Sequence, residues 1–432
     1  MPAEWISAVE AAQRLGVKQA SLYSYVSRGV LTRRKAEGSR TSLFNATEVE
    51  GLARRGRPRR APGAAELVIE TELTEITGEH LRYRGWDAID LAHERSFEEV
   101  AGLLWTGSLD EPGESWQATG AAVAAGSAAQ AALPAGTLPL ERLQVIVPAL
   151  AVADPLRLHL DPPAVIAAGR CLIAGMVDCL PPARPRAAQS GAAQHRTAVQ
   201  HRTAVQHRPA VEHGGTASGG TIAERLVPRL CPADPGPGLA GALRAALVLL
   251  ADHELAASTL AARVAASVRA DPYAVVATGL GAVGGALHGG ASFGAEVMLR
   301  SASQPSEVGR VVGDLLRRGE RIPGFGHFVY RGRDPRAAAL MDLLREAAPR
   351  SERLAVADAV IAEVSRRALP EPNIDFALAV LATMASMIPG AGEAVFAVAR
   401  AAGWLAHALE EYARNVPIRP RGIYTGPAAV SL

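Results

Sequence analysis

The 432-residue sequence is short of aromatic residues, lysine and cysteine, and each shortage narrows what the protein can be. Phe, Trp and Tyr together make up 4% of the chain, and Lys18 and Lys35 are its only lysines among 45 basic residues. Cys171, Cys179 and Cys231 are unevenly spaced and match no metal-ligand pattern, which indicates free thiols in a reducing cytoplasm.

Long hydrophobic runs and a signal peptide are also missing. Stretches such as AALVLLA are too short to cross a bilayer, and the N-terminus MPAEWISAVE lacks the basic and apolar regions of a secretory leader. The length allows two or three domains with a large core. We therefore expect a soluble, cytoplasmic protein that does not associate with membranes.

Charge is distributed unequally along the chain. Residues 1–60 carry 12 Lys and Arg against 5 Asp and Glu, a net charge of +7, whereas the remainder carries 33 against 38, a net charge of −5. A small basic segment ahead of a larger, mildly acidic body indicates a polyanionic partner for the basic segment.

Residues 1–53 have the element order of a small DNA-binding domain. Ser7 and Glu10 have capping-box spacing ahead of a helical pattern that Gly16 ends. A second helix is predicted in KQASLYSYVSR, a basic hairpin turning at Gly38 in RRKAEGSRTSLF, and a third helix from near Asn45. This order resembles the winged helix-turn-helix of the mercury-resistance-regulator and excisionase class.

In that resemblance the second helix enters the major groove and wing arginines contact phosphates. The candidate DNA contacts are Lys18, Gln19, Ser21, Tyr23, Arg33, Arg34 and Arg40. The alternative is a small helical cap whose basic face is only solvated. Residues 54–65, which include RRGRPRR, are expected to form a basic linker.

A six-residue repeat, QHRTAVQHRTAVQHRPAVEH, occupies residues 194–213. Its four histidines suggest a metal site, but a spacing of six places successive histidines on different faces of a helix, whereas ligands at i and i+4 would share one. We therefore expect an expanded repeat in an exposed, disordered insert spanning residues 183–219.

The stretch GLGAVGGALHGGASFG contains Gly279, Gly281 and Gly284 at the G-x-G-x-x-G spacing of a dinucleotide loop. Such a loop follows a strand, opens a helix and has an acidic residue about twenty positions later. Here the preceding residues have a helical pattern, and position 304 is Gln. We therefore expect these glycines to end a helix and to bring backbone close to His288.

The body of the chain is mostly α by pattern, and it contains a separate set of candidate site residues. Helical stretches recur at 96–105, 241–270, 336–347, 354–368 and 393–414, with almost no strand-like alternation. The candidates are His253 in ADHELAAST, His288 in GALHGGAS, His327 and Arg336 in IPGFGHFVYRGRDPRA, Asp375 in EPNIDF, Arg400 in FAVARAAGWLAH, and Arg419 and Arg421 in RPRGIYTGP. Arginines in this number suit carboxylate ligands, which they bind through paired hydrogen bonds. The alternative is that the histidines are buried helix-end residues bonded to backbone.

With these motifs in this order, residues 66–432 resemble the citrate synthase family, beginning at GEHLRYRGWDAIDLAHERSFEEVAGLLW. The resemblance implies an almost wholly helical fold, with a large domain at about 66–287 and 386–432 and a small domain at about 288–385. It also implies an intertwined homodimer that condenses a short acyl-CoA with oxaloacetate, using no cofactor and no metal.

The resemblance further assigns roles to the candidate residues. Asp375 would remove a proton from the acyl group, His288 would donate a hydrogen bond to the thioester oxygen, and His327 would polarise the ketone of oxaloacetate. The oxaloacetate carboxylates would be bound by His253, Arg336, Arg400 and, from the partner subunit, Arg419. Coenzyme A would be contacted by Gly324, Phe325, Gly326 and Arg331.

Three functions remain open from the sequence: a synthase making citrate, a 2-methylcitrate synthase using propionyl-CoA, and a DNA-binding regulator whose synthase-like body senses a metabolite. Ser292 and Phe293 depart from the residues most relatives have at those positions, which leaves acyl selectivity open. The presence of Asp375 favours an active enzyme, because a sensor would need the arginines but not the base.

Overall fold

The computed structural model describes residues 5–15, 19, 22, 25–26, 31–35, 42–49, 69–109, 115–183, 219–285, 288, 290–330 and 332–421. Several predictions fall outside the described residues, namely those on Lys18, Ser21, Tyr23, Arg40, Arg331, the linker 54–65 and the repeat 194–213. The chain divides into two compact units, Met1–Glu70 and Thr71–Leu432.

The first unit contains a three-stranded antiparallel sheet and a helix. The strands are β1 (Trp5–Ser7), β2 (Arg33–Lys35) and β3 (Ser42–Asn45), in the order β1-β3-β2, and α1 (Ala8–Leu15) follows β1 directly. The Glu10 amide donates to Ser7 Oγ over 3.2 Å, as the capping spacing predicted.

The core of the first unit differs in one detail from the sequence pattern. Its buried side chains are Ile6, Ala11, Ala12, Leu22, Leu31, Phe44, Ala46 and Val49. Val9, which lies three residues before Ala12 and would share its helix face, is 57% exposed. The chain enters α1 straight from β1, so the strand sets the rotation of the helix and turns Ala11 and Ala12 inward instead.

The second unit begins with a small antiparallel sheet that the sequence pattern did not predict. Its strands are β4 (Thr74–Thr77), β5 (His80–Tyr83) and β6 (Trp86–Asp87), paired in that order. Gly78 and Gly85, both with positive φ, form the turns between them. Strands of two to four residues are too short to display the alternation by which a strand is recognised.

The rest of the described second unit is helical, as predicted. Its helices are α2 (Ala88–Glu94), α3 (Phe97–Thr106), α4 (Gly120–Ala131), α5 (Pro139–Val152), α6 (Pro162–Asp178), α7 (Ile222–Leu230), α8 (Pro237–Leu250), α9 (Ala257–Ser267), α10 (Pro272–Val283), α11 (Gly290–Arg300), α12 (Val308–Arg317), α13 (Pro335–Ala347), α14 (Glu352–Arg366), α15 (Ile374–Met384) and α16 (Ala391–Arg414), with a 3-10 turn at Pro305–Glu307.

One predicted helical stretch, 241–270, is wrong as a single helix. It is divided into α8 and α9 by a turn in which Glu254 has a φ of 52°. The apolar periodicity continues on both sides of the break, so composition alone did not reveal it. The break places His253 in the turn between two helices.

Helix α16 forms the centre of the second unit. It packs directly against α3, α5, α6, α8, α9, α10, α11 and α15, and its residues from Ala391 to Ala408 are buried. Gly279 of α10 lies against the Trp404 indole, where a Cβ would overlap the ring. Helix α10 ends at Val283, capped by Gly284, and the chain then leads to His288. Gly284 therefore ends the helix, as expected, and Gly279 has a packing role that the sequence did not indicate.

Candidate functional site

His253 lies in the turn after α8, and a tyrosine holds that turn in place. The Tyr83 hydroxyl lies 3.1 Å from the Leu249 carbonyl oxygen and 3.0 Å from that of Asp252. His253 is 6% exposed, and its Nε2 is 3.0 Å from the Tyr330 hydroxyl. Sequence analysis missed both tyrosines, and only their position in the fold reveals them.

Backbone N–H groups of the turn that contains His327 fix the tautomer of its imidazole ring. Its Nδ1 accepts hydrogen bonds from the backbone N–H groups of Val329 at 3.0 Å and Tyr330 at 3.3 Å. In a neutral imidazole the other nitrogen, Nε2, must then carry the proton. Burial, helped by the Arg336 charge, lowers the pKa of His327 to about 4, so the ring is neutral near pH 7.

The His327 Nε2–H faces a second donor. Arg336 Nη2 lies 3.3 Å from His327 Nε2, and an arginine nitrogen cannot accept a hydrogen bond. Two N–H donors therefore point into the same space without satisfying each other. An oxygen atom of a ligand would accept from both.

Arg336 is held rigidly by Asp334, a residue that sequence analysis did not single out. The guanidinium donates Nε to Asp334 Oδ1 at 3.0 Å and Nη2 to Oδ2 at 2.8 Å. Asp334 also accepts from the N–H groups of Arg336 and Ile374, at 3.1 Å each, and so ties the start of α13 to the start of α15. Although burial opposes ionisation, the Arg336 guanidinium holds the pKa of Asp334 below its ordinary value. The Asp-x-Arg spacing at a helix start was the signal available in the sequence.

Arg400 of α16 carries an unpaired donor inside the protein. The side chain is 1% exposed, and its Nε donates to the Leu250 carbonyl at 2.8 Å. Its Nη2 is buried and has no hydrogen-bond partner among the described residues. Burial, with the nearby Arg336 charge, lowers the pKa of Arg400 to about 10. A buried, unpaired cationic donor is costly unless an anion binds to it.

Asp375 lies in the first turn of α15, which Asn373 caps. Asn373 Oδ1 accepts from the N–H groups of Asp375 at 3.0 Å and Phe376 at 3.4 Å. Burial raises the pKa of Asp375 to about 7, and Asp334 adds to this effect while Arg336 opposes it. Among the described residues none donates a hydrogen bond to its carboxyl group. Such a carboxylate is a suitable general base at neutral pH.

The segment Gly324–Gly326 joins the two halves of the site. Asn373 N–H donates to the Gly324 carbonyl at 2.9 Å, and the Gly326 N–H donates to the Glu371 carbonyl at 2.8 Å. Gly324 has a φ of 80°, and a Cβ there would lie 2.8 Å from the Phe376 Cβ. The glycines therefore permit the close pairing that ties the His327 turn to the Asp375 cap.

His288 lies between α10 and α11 and is oriented by a serine. Its Nε2 is 2.8 Å from Ser258 Oγ, and its N–H donates to the Gly285 carbonyl at 2.9 Å. The imidazole meets the Phe396 ring edge-on at a centroid distance of 5.6 Å. Burial, together with the Arg400 charge, lowers the pKa of His288 to about 4, so this ring is also neutral near pH 7. Ser258 was not predicted from the sequence.

Most of the predicted site residues come together, but Arg419 does not. The His253 and His327 rings are 5.2 Å apart, and the charges of Arg336 and Arg400 both act on the pKa of His253 and of Asp375. Arg419 is exposed in the extended segment after α16, where the neighbouring Ile418 N–H donates to Ser267 Oγ at 3.0 Å.

Two further observations concern the described residues as a whole. They contain no group of three or more His, Cys, Asp or Glu side chains placed to hold a metal ion. Nor does that part of the chain contain a helix with the length and apolar character needed to cross a membrane.

Comparison with known proteins gives consistent matches. The family model for the citrate synthase C-terminal domain matches residues 64–421. The citrate synthase of Haloferax volcanii is 32% identical over 380 residues, covering 83% of this chain and 94% of that protein. The 2-methylcitrate synthase 1 of Corynebacterium glutamicum is 28% identical over 362 residues, covering 80% and 89%.

A solved structure has the same fold. It is the ternary complex of carboxymethyl coenzyme A and oxaloacetate with the citrate synthase of Thermoplasma acidophilum. It aligns with a TM-score of 0.65 at 23% identity, covering 85% of this chain and 96% of that chain.

Proposed function

The chain belongs to the citrate synthase family, and we propose that it condenses acetyl-CoA with oxaloacetate and water to give citrate and CoA. The observation that carries this proposal is the meeting of His327 Nε2–H and Arg336 Nη2 at 3.3 Å, beside the unpaired Arg400 Nη2. These donors suit a ligand that carries a carbonyl group between carboxylates. Oxaloacetate is such a ligand.

Oxaloacetate binds first in this mechanism. The His327 Nε2–H donates to the ketone oxygen and makes the ketone carbon electrophilic. Arg336, Arg400 and His253 hold the carboxylates, and Arg419 of the partner subunit completes the set. The exposure of Arg419 in the single chain supports a role across the interface of a homodimer.

The acyl group is activated next. A thioester methyl is a weak acid, so its proton leaves only if the enolate oxygen is stabilised at the same time. Asp375 takes the proton, while the Ser258 hydroxyl donates to His288 Nε2 and leaves Nδ1–H to donate to the thioester oxygen. The enol carbon then attacks the ketone carbon, His327 supplies a proton to the new alkoxide, and water hydrolyses the resulting thioester.

The remaining parts of the proposal concern coenzyme A and assembly. Gly324, Phe325, Gly326 and Arg331 contact coenzyme A, and a small domain at about 288–385 closes on a large domain formed by the rest of residues 66–432. The three cysteines are free, which supports a reducing, cytoplasmic location.

The test is the release of CoA thiol from acetyl-CoA by the purified protein, with and without oxaloacetate. We expect release that depends on oxaloacetate. Propionyl-CoA is assayed in parallel, because the similarity to a 2-methylcitrate synthase makes that substrate the second candidate. A higher kcat/KM for propionyl-CoA would replace the first proposal with the second, and no release from either would refute both.

We also propose that the first unit is a winged helix-turn-helix domain that binds DNA. Its support is the strand pairing β2–β3, which presents Arg33 and Arg34 on an exposed edge, with the Arg34 guanidinium 4.4 Å from the centre of the Trp5 ring. Gln19, a further candidate contact, is also exposed.

The DNA proposal is tested on the full chain by gel shift at low and moderate salt. We expect Arg33→Gln/Arg34→Gln to weaken binding to sheared genomic DNA and to reduce its dependence on salt, because fewer counterions are displaced. The matched control is Arg317→Gln/Arg318→Gln, which removes the same charge from exposed positions of the second unit. Equal binding by both variants would contradict the proposal.

A further inference from the structure

One face of α16 holds the turn that carries His253. Arg400 Nε donates to the Leu250 carbonyl at 2.8 Å, and the Gly403 N–H donates to the Ala251 carbonyl at 3.0 Å. His407 Nε2 then contacts Asp252 Oδ2 at 3.3 Å. Residues separated by three or four positions share a helix face, so three successive residues of the turn lie along one side of α16.

Gly403 is required for this approach. A Cβ at Gly403 would collide with the Ala251 carbonyl oxygen and with Asp252 Oδ1. Any larger residue would therefore push the turn, and His253 with it, away from α16.

His407 is one link in a series of buried polar groups. Its Nδ1 lies 2.5 Å from Arg263 Nη1, which can only donate, so Nδ1 accepts and Nε2–H donates to Asp252. Arg263 is itself held by Glu410 and Glu411 at 2.6 Å each. His407, Arg263 and Asp252 are each 0% exposed. This series of hydrogen bonds fixes the tautomer of His407, so that His407 donates to Asp252 and Asp252 accepts.

Among the described residues, no hydrogen bond joins Arg263, His407 or the Asp252 carboxylate to His327, Arg336 or Arg400, although the Asp252 charge opposes the lowering of the pKa of Arg400. Through Gly403 and His407, helix α16, which also supplies Arg400, holds the residues immediately before His253. The distance between His253 and Arg400 therefore depends on how closely the turn lies on α16.

We propose that Gly403, His407 and Asp252 are positioning residues of the oxaloacetate site, which set His253 against Arg400. The inference rests on the proposed function, because it takes oxaloacetate as the ligand of those two side chains. It adds residues to the site that make no contact with substrate.

Two variants disturb the positioning by different routes. His407→Leu removes the link to Asp252, and Gly403→Ala displaces the turn while leaving every polar side chain in place. We expect each to raise the KM for oxaloacetate roughly tenfold or more, because small displacements of binding groups have large effects. The KM for acetyl-CoA should change less than about twofold, since the His288 and Asp375 contacts are untouched.

Matched controls separate positioning from loss of stability. Tyr412→Phe removes a partly buried hydrogen bond from the same helix, to the Ala270 carbonyl, away from the His253 turn. Gly241→Ala adds a methyl group to α8 where nothing lies within 4 Å. Both should leave the ratio of the two KM values unchanged, whatever they do to the melting temperature. His407→Gln, which can accept from Arg263 and donate to Asp252, should return the oxaloacetate KM towards that of wild type.

The outcomes distinguish the inference from the function on which it rests. If wild type releases CoA and the two variants show the KM ratio of the controls, the residues only stabilise the fold and the inference is wrong. If wild type releases no CoA, the proposed function is wrong, and the inference is then decided by calorimetric binding of oxaloacetate. In that case unchanged affinity in Gly403→Ala, relative to Gly241→Ala, overturns it.

Discussion

Replacing Asp375 by Asn should make the protein more stable while it abolishes most of its activity. The carboxyl group has its pKa raised from 3.8 to about 7, mainly by burial. Each unit of pKa difference between the folded and unfolded states corresponds to about 1.4 kcal/mol, so ionising this group in the folded protein costs at most about 4 kcal/mol. Because the side chain is only partly buried, we expect a measurable effect of about 1–3 kcal/mol.

The sign and pH range of this effect follow from the direction of the shift. Between pH 4 and pH 7 the folded protein keeps a proton on Asp375 that the unfolded chain has already released. Wild type therefore loses stability as the pH rises through this range, whereas Asp375→Asn does not. The gain in the variant should be absent near pH 4 and complete above pH 7.

The assay is urea unfolding at pH 4 and pH 8.5 at one protein concentration, combined with turnover at the higher pH. Turnover should fall about 100-fold or more, the scale of general-base catalysis, with oxaloacetate affinity little changed. Asp342→Asn, at an exposed carboxylate of α13, is the control and should show no such difference between the two pH values. In wild type, kcat/KM should increase as the pH rises from about 5.5 to 8.5 and follow an apparent pKa near 7, because His288 and His327, whose pKa values are lowered to about 4, are already neutral there. Equal unfolding free energies for Asp375→Asn and wild type at pH 8.5, or turnover within tenfold of wild type, would refute the reasoning.

Two other substitutions test the parts of the site around Asp375. Arg336→Lys keeps the charge but loses the paired hydrogen bonds to Asp334, so the KM for oxaloacetate should rise far more than the KM for acetyl-CoA. Steady-state kinetics with each substrate varied in turn measure the two values. Equal rises in both would mean that Arg336 does not bind oxaloacetate. Gly324→Ala should cost more than about 1 kcal/mol of stability and lower kcat, because its φ of 80° disfavours a side chain and its Cβ would press on Phe376. Gly85→Ala is the control, because Gly85 has a φ of 88° and nothing within 4 Å, so this variant measures backbone strain alone. If both variants lose the same free energy of unfolding in denaturant, the contact with Phe376 contributes nothing.

Local features of the sequence predicted several of the helices and some of their ends. Ser7 and Glu10 predicted the start of α1, and the glycines after Val283 predicted the end of α10, because these signals act between residues a few positions apart. The short strands β4 to β6 and the break at Glu254 were missed, since neither leaves a periodic pattern in the sequence.

The residues of the candidate site were also identifiable from the sequence, through motifs that each lie within a few positions. His253, His288, His327, Arg336, Asp375 and Arg400 were all named in this way. The motifs did not reveal the hydrogen-bond partners and neighbouring charges that set the orientation and the pKa of each residue.

Those partners are decided by tertiary structure, because they come from distant parts of the chain. Tyr83 reaches the Asp252 carbonyl across 169 positions, and His407 reaches Asp252 across 155. The sequence by itself determined that a carboxyl group stands at position 375, within the motif EPNIDF. Only the folded chain decided that this group is partly buried near the Asp334 charge, which together raise its pKa to about 7, because burial and the approach of another charge are properties of packing.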